Sequence, residues 1–301
     1  MLCQIGITFF ISALSISCAN TIVCLPRSNT MYKMVAFDID GTLLTYGQNQ
    51  FRPEIRALFA RLKARGLVVV LATGRDFVSI GNLHQDPNID YFIGANGAFI
   101  YDLAQQRYRF NTTIDFADYE RYYNDVIQVH HDNVYNVVLS DDRHVFVQDP
   151  ARMNGHWFWQ PFHHRFRNLT NAKTLLNHEQ FHLITINCTT ITPLLEASEA
   201  YFRQHNSSLG VQAWWPNGFF VANRGVDKAP TVAHLARELG IDLTAVIAFG
   251  DGENDLQLLQ TVGHGVAMAN SSAQVQAAAR AVTTSVDDLG AIWYLEKLGI
   301  I

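Results

Sequence analysis

The sequence predicts an α/β fold, a parallel sheet with helices on both faces, interrupted by an inserted domain of about 110 residues. Three observations carry this. The short apolar runs KMVAF, LVVVLA, YFIGA and AVIAF lack polar alternation, the pattern of strands buried on both faces. Stretches with apolar residues at helical spacing follow them. Between Thr112 and Val221 the rhythm changes: nine of the twelve His and four of the five Trp fall there. The expected boundaries are 31–111 and 222–301 for the core, 112–221 for the insertion and 1–30 for an N-terminal extension.

From Leu2 to Pro26 no side chain is charged. The run GITFFISALSI is apolar, yet no Lys or Arg precedes it as in a signal peptide, and Gln4, Asn20 and several Ser and Thr dilute it as a spanning helix. The expectation is an upstream extension from a misassigned start, with Met31 or Met34 as the natural first residue; a weak targeting segment is the alternative. The first strand is then Lys33 to Phe37. Next comes RPEIRALFARLKARG, with Pro53 in the first turn, Ile55, Leu58, Phe59 and Leu62 on one face and Gly66 as the stop. LVVVLA and YFIGA give the second and third strands, with a short helix between them. After the insertion the rhythm returns with a helix (KAPTVAHLARELG), a strand (AVIAF), a helix (ENDLQLLQTVG), a short strand (GVAMA) and a last helix pair.

Composition narrows the function classes. The 301 residues are 49% hydrophobic and 16% charged, a globular balance, and the net charge of −5 gives no basic footprint for nucleic acid. Cys3, Cys18 and Cys24 crowd the first thirty residues, leaving Cys188 alone in the body, where it cannot form an internal disulfide. That fits a reducing, cytoplasmic compartment, and the Asn-x-Ser/Thr triplets are attributed to chance.

Four segments lie where strands run into loops, the edge at which open parallel sheets bind ligands. FDIDGTLL places Asp38 and Asp40 one residue apart, so that one carboxylate can serve as nucleophile and the other as proton donor. A capping turn explains one Asp and Gly41, but not the DxDGT string ending with Thr42. In LATGR, the Thr73 hydroxyl and neighbouring amides can bond phosphoryl oxygens, although Thr-Gly-Arg alone is an ordinary loop. Lys228 opens a helix, against the macrodipole, as a bound anion would explain. AFGDGENDLQLL clusters Asp251, Glu253, Asn254 and Asp255 after a strand, an oxygen-rich set suited to Mg²⁺.

DIDGT, ATGR, the late Lys228 and GDGEND followed by GVAMAN resemble the motifs of the haloacid dehalogenase-like superfamily, and more narrowly its Cof-type branch. The likeness runs from about residue 34 to the end, and Asn96-Gly97-Ala98 fits it. It implies a Rossmann-like core with an inserted α+β cap, and a Mg²⁺-dependent phosphatase of small phosphorylated metabolites such as a sugar phosphate, pyridoxal phosphate or a flavin or nucleotide monoester. The resemblance implies that Asp38 is the nucleophile that becomes an aspartyl phosphate and that Asp40 is the acid and base. Thr73 and Lys228 would hold the transferring group, with Gly41, Thr42, Gly74, Arg75 and Asn254 around the phosphate. Asp38, Asp251 and the Asp40 carbonyl would hold Mg²⁺, with Asp255 behind them positioning Lys228 or a metal-bound water. Asp227, Ala229 and Ala269 depart from the branch's common Ser, Gly and Gly without touching a catalytic group.

The insertion carries no diagnostic string. Its GHWFWQPFHHRF and WWPNGFF segments are expected to be core or a homodimer surface, with an aromatic substrate pocket as the alternative. His163-His164 is not expected to bind metal, because neighbours on a strand face opposite ways. Two other functions use the same residues: a sugar-phosphate mutase or phosphotransferase, and a non-catalytic phosphate-binding regulator. The second predicts loss of Asp38 or Asp40, and both are present. No nucleic-acid or membrane partner is expected.

Overall fold

The computed structural model describes residues 31–153 and 158–301; the extension and the Gly155–Trp157 end of the first aromatic segment lie outside the described residues. The chain opens with β1 (Met34–Phe37), β2 (Val68–Ala72), β3 (Tyr91–Gly94), β4 (Phe99–Asp102) and β5 (Arg107–Asn111). Then follow β6 (Val134–Ser140), β7 (Val145–Val147), β8 (Phe166–Asn168), β9 (Ile184–Cys188), β10 (Leu209–Trp215) and β11 (Gly218–Asn223). It closes with β12 (Val246–Gly250), β13 (His264–Ala267) and β14 (Ala281–Val282).

These strands form two sheets, ordered β14-β13-β12-β1-β2-β3-β4-β5 and β10-β11-β9-β6-β7-β8. In the first, every pairing from β14 to β3 is parallel. Side chains of its central strands alternate between two cores. Val35, Phe37, Val69, Leu71, Ile247 and Phe249 meet Ile55, Leu58, Phe59 and Leu62 of the helix Pro53–Ala64 on one face. Met34, Ala36, Val70, Ala72, Val246 and Ala248 meet Val232, Leu235 and Ala236 of the helix Lys228–Glu238 on the other. Helices thus cover both faces of a Rossmann-like core, which is why these strands carry no polar alternation.

Three features differ from the sequence expectation. β4 and β5 extend the sheet antiparallel beyond β3. Their hairpin escaped notice because its turn has neither Gly nor Asn; Gln106 takes the left-handed conformation, φ +51°. The final helices, Ala273–Ala278 and Gly290–Lys297, are separated by β14, too short to leave a pattern. His163 and His164 lie on a 3₁₀ turn, Gln160–Arg165, and not on a strand; both are exposed.

The second sheet has its own core, where Val137, Leu139, Ile184 and Ile186 pack on Leu194 and Phe202 of the helix Ile191–Gln204. The chain enters this cap after β5 and leaves it after β11. The two crossings are stapled side by side, the Asn223 Nδ2 donating to the Thr113 carbonyl at 2.7 Å. Among the described residues no helix is long and apolar enough to cross a membrane.

Candidate active site

Register sets the site. β1 pairs with β12 so that Phe37 lies beside Phe249, and with β2 so that Phe37 lies beside Leu71. The residues that follow, Asp38, Thr73 and Asp251, therefore emerge at the same carboxyl edge. A cavity of about 440 Å³ opens there between the two sheets, within the usual range for small-molecule sites. Asp38, Asp40, Thr73, Gly74, Arg75, Asp251 and Asn254 border it.

Lys228 sits behind Asp38, wholly buried, its ammonium donating to Asp38 Oδ1 at 2.6 Å and to Asp255 Oδ1 at 2.7 Å. Asp227 caps this helix through the Ala229 amide, which resolves the helix-start anomaly: Lys228 points away from the macrodipole into a carboxylate pair. Asp255 Oδ2 accepts from the Asp251 and Gly252 amides, so one carboxylate both orients Lys228 and shapes the loop carrying Asp251. Glu253 is turned outward to the Ser272 hydroxyl and takes no part in the cluster.

Asp251 is held from three sides. Thr42 Oγ1 donates to its Oδ1 at 3.0 Å; Tyr46 Oη and Asn270 Nδ2 approach Oδ2 at 2.9 and 3.4 Å. Gly41 is needed here, because at φ +83° a Cβ would lie 2.0 Å from Asp251 Oδ2. This corrects the expectation that Gly41 and Thr42 hold phosphate. Their amides are spent on the Leu44 and Ile39 carbonyls, the Thr42 hydroxyl is spent on Asp251, and neither residue borders the cavity.

Arg75 holds a neighbouring carboxylate. Its Nε and Nη2 grip both oxygens of Asp40, at 2.7 and 2.6 Å, and Nη1 donates to the Ser79 carbonyl. Phe158 lies over the guanidinium, 5.2 Å from its ring centre. Arg75 is thus a clamp on Asp40 that also borders the cavity. Next to it, Asp76 accepts from Ser79 and, across the sheet boundary, from the Ser140 hydroxyl of β6. Asn254 Nδ2 donates to Asn96 Oδ1, which ties the last motif to the Asn-Gly-Ala turn.

The electrostatics are unbalanced. Asp38, Asp40, Asp251 and Asp255 face two cationic side chains, Lys228 and Arg75. Burial, and then the charges of Asp255 and Asp251, push Asp38 well above the usual carboxylate range despite Lys228. Burial and Asp255 push Asp251 up to about 7. Burial alone would lower Lys228, but Asp255 and Asp38 outweigh it and keep the ammonium charged. One oxygen each of Asp38, Asp251 and Asp255 lies within 4.8 Å of the others, so the donors and the surplus negative charge both fit a divalent cation. Asp255 is tied down behind them by Lys228 and two amides and does not border the cavity, so Asp38 and Asp251, which do border it, are the side chains placed to ligate it.

Sequence reasoning missed Tyr46 and Asn270. Tyr46 sits in a loop without periodicity, whereas Asn270 ends the GVAMAN string and could have been suspected. It also placed the aromatic segments in core or at a dimer surface. Trp159, Phe162 and Phe219 do lie in apolar cores, while Phe158, Trp214, Trp215 and Phe220, with one side of Trp159, border the cavity, the alternative reading.

The sequence and the fold have counterparts among known proteins. A family model described as haloacid dehalogenase-like hydrolase matches residues 35–295. The chain is 27% identical over 257 residues to the HMP-PP phosphatase of Serratia proteamaculans (strain 568), covering 82% of this chain and 87% of that one. It is 26% identical over 295 residues to the phosphatase YwpJ of Bacillus subtilis (strain 168), covering 88% and 99%. Among solved structures, the phosphatase BT1666 of Bacteroides thetaiotaomicron superposes with a TM-score of 0.74 at 24% identity, covering 93% and 100%, a likeness of fold. With the match spanning both halves of the core and the insertion between them, the chain belongs to the haloacid dehalogenase-like hydrolases.

Proposed function

We propose that the protein is a Mg²⁺-dependent phosphatase that hydrolyses the phosphate monoester of a small metabolite through an aspartyl phosphate on Asp38. The observation that supports it most is the placement of Asp38 at the cavity, bonded to a buried lysine, with Asp40 clamped at the same cavity. Relatives bearing the name phosphatase, one of them HMP-PP phosphatase, point the same way.

In the first step an Asp38 carboxylate oxygen bonds to phosphorus and the bond to the ester oxygen breaks. Asp40, as the acid, gives that oxygen its proton. In the second step Asp40 takes a proton from water as the water attacks phosphorus, and Asp38 leaves as a free carboxylate. Arg75 holds both Asp40 oxygens, so its direction is preserved between the steps. Lys228 and the Thr73 hydroxyl offset charge on the phosphoryl oxygens. Asp38, Asp251 and the Asp40 carbonyl would hold Mg²⁺, which would supply charge neutralisation and alignment when bound.

Phosphate release from a panel of monoesters, with and without Mg²⁺, tests this. Asp40→Asn should slow turnover by about a hundredfold or more, since general acid–base catalysis contributes about 10²–10⁴. Acid-quenched protein should then carry phosphate on Asp38. Rapid turnover by Asp40→Asn, or release that ignores chelators, would sink the mechanism.

The raised carboxylates add a stability test. The folded state binds the Asp251 proton more tightly than the unfolded chain, whose ordinary value is 3.8. Without a cation, stability from this group therefore falls as pH rises from about 4 to about 7, and Asp38 acts in the same direction. A divalent cation takes the proton's place. Millimolar Mg²⁺ should raise the Tm by about 5 °C or more at pH 8 and far less at pH 5. Scanning fluorimetry showing equal shifts at both values would count against this cation site.

A further inference from the structure

We propose that the leaving group this site accepts is a planar nitrogen heteroaromatic ring, lodged among the cavity's aromatic side chains and read at its edge by the amide of Asn187. The proposal rests on the phosphatase reading and concerns what lies beyond the phosphate.

On β9 the side chains alternate. Ile184, Ile186 and Cys188 enter the cap core, while Thr185 and Asn187 border the cavity. Asn187 is 3% exposed, and its Nδ2 has no hydrogen-bond partner among the described residues. A buried donor left unpaired is costly and rare, and because Asn187 borders the cavity, a turn of its amide brings that donor to a ligand acceptor.

The walls around it are aromatic and fixed before any ligand arrives. Trp215 lies across Gly218 of the neighbouring strand, so close that a Cβ there would come within 2.6 Å of the indole. It packs against Phe220 with ring centres 4.9 Å apart. Phe220 in turn reaches 3.7 Å from the position a Cβ would take on Gly74, linking this wall to the phosphate end. Phe158, anchored over Arg75, borders the same cavity.

Polar partners on the cap side are few. Among the described residues they are Ser140, Thr185 and Asn187 besides the indole N–H groups of Trp159, Trp214 and Trp215, and the Ser140 hydroxyl is bonded to Asp76. A sugar would bring several hydroxyls into this space, most of them losing water without a replacement. A flat ring buries its faces against the aromatic side chains and asks for a donor only where its nitrogen or a ring substituent accepts. The cavity therefore selects against polyols and for a heteroaromatic alcohol esterified to phosphate.

Four esters test this: pyridoxal 5′-phosphate, benzyl phosphate, glucose 6-phosphate and acetyl phosphate. The first three share a primary-alcohol leaving group, and acetyl phosphate has neither a ring nor a hydroxyl. The expected kcat/KM order is pyridoxal, benzyl, glucose, with about thirtyfold or more between first and last. Asn187→Leu keeps the heavy-atom count and the branch at Cγ while removing the donor, and should cut the pyridoxal-to-benzyl ratio about tenfold, the effect of one lost hydrogen bond. Trp215→Ala should lower both ring esters about tenfold relative to acetyl phosphate. If Asn187→Leu does not fold, the wild-type order and Trp215→Ala still decide. Glucose 6-phosphate matching the ring esters, or an unchanged pyridoxal-to-benzyl ratio in Asn187→Leu, would overturn the proposal. Turnover of acetyl phosphate with a preference for glucose would leave the phosphatase reading standing without it. No release from any of the four would remove both.

Discussion

Asp38→Asn is expected to reduce phosphate release by about ten-thousandfold or more while the protein stays folded. An amide cannot form the bond to phosphorus at a useful rate, and no other described carboxylate at this cavity is free to replace it. Asp40 is gripped by Arg75, Asp251 by Thr42, Tyr46 and Asn270, Asp76 by Ser79 and Ser140, and Glu253 is turned to Ser272, while Asp255 lies behind the cavity on Lys228 and two amides. The variant should also be at least as stable as the parent. It removes one negative charge from a cluster that already has too many and leaves Lys228 paired with Asp255. The two readouts are steady-state phosphate release and the Tm in EDTA. Activity above about one hundredth of wild type would place the nucleophile elsewhere, and a large fall in Tm would show that the Asp38–Lys228 bond outweighs the carboxylate repulsion.

Lys228→Met is expected to behave in the opposite way, damaging both activity and stability. Asp38 and Asp255 would then lie buried without their shared counter-charge, and breaking such a pair from one side costs about 3–5 kcal/mol. Turnover should fall about a thousandfold with the loss of the ammonium at the phosphoryl group. Denaturant unfolding of Lys228→Met and of Lys228→Met with Asp255→Asn separates the two effects. The second change should recover part of the stability and none of the activity. If Lys228→Met is as stable as the parent, the buried triad is not the electrostatic unit described above.

The contrast between these variants shows why the site was legible in the sequence. Asp38, Asp40, Thr73 and Asp251 follow strand ends and border one cavity, and Lys228 opens a helix and bonds Asp38 from behind. No packing rule explains a DxDGT string or a lysine at a helix start. The central strands were legible because burial on both faces removes all alternation. The cap was not. Alternation along β9 says that Thr185 and Asn187 share a face, but not that this face looks into a cavity instead of solvent. The aromatics of WWPNGFF satisfy a core, an interface or a pocket equally well in sequence. Gly41, Thr42 and Arg75 were placed near the phosphate because their sequence neighbours were; only the geometry shows Gly41 making room for Asp251, Thr42 bonded to Asp251 and Arg75 to Asp40. Tyr46 and the β4–β5 hairpin left no periodic or turn signal.

The stapled double crossing between the sheets has a consequence for how the chain assembles. β1 and β12 are neighbours at the centre of the core, yet Met34 pairs with Val246 across more than two hundred residues. Joining them closes a loop that contains the whole cap, and closure costs entropy that grows with the length of free chain. A cap that has already condensed around its own apolar cluster, with Asn223 bonded to Thr113, shortens that free loop to the segments on either side. Contacts this distant in sequence form slowly. Asp38 and Asp251 stand on those two strands, so the pair that would hold the cation comes together only when this longest closure is complete. Assembly of the site is therefore a late event in folding, and a chain stopped before residue 246 holds Asp38, the proposed nucleophile, without Asp251 beside it.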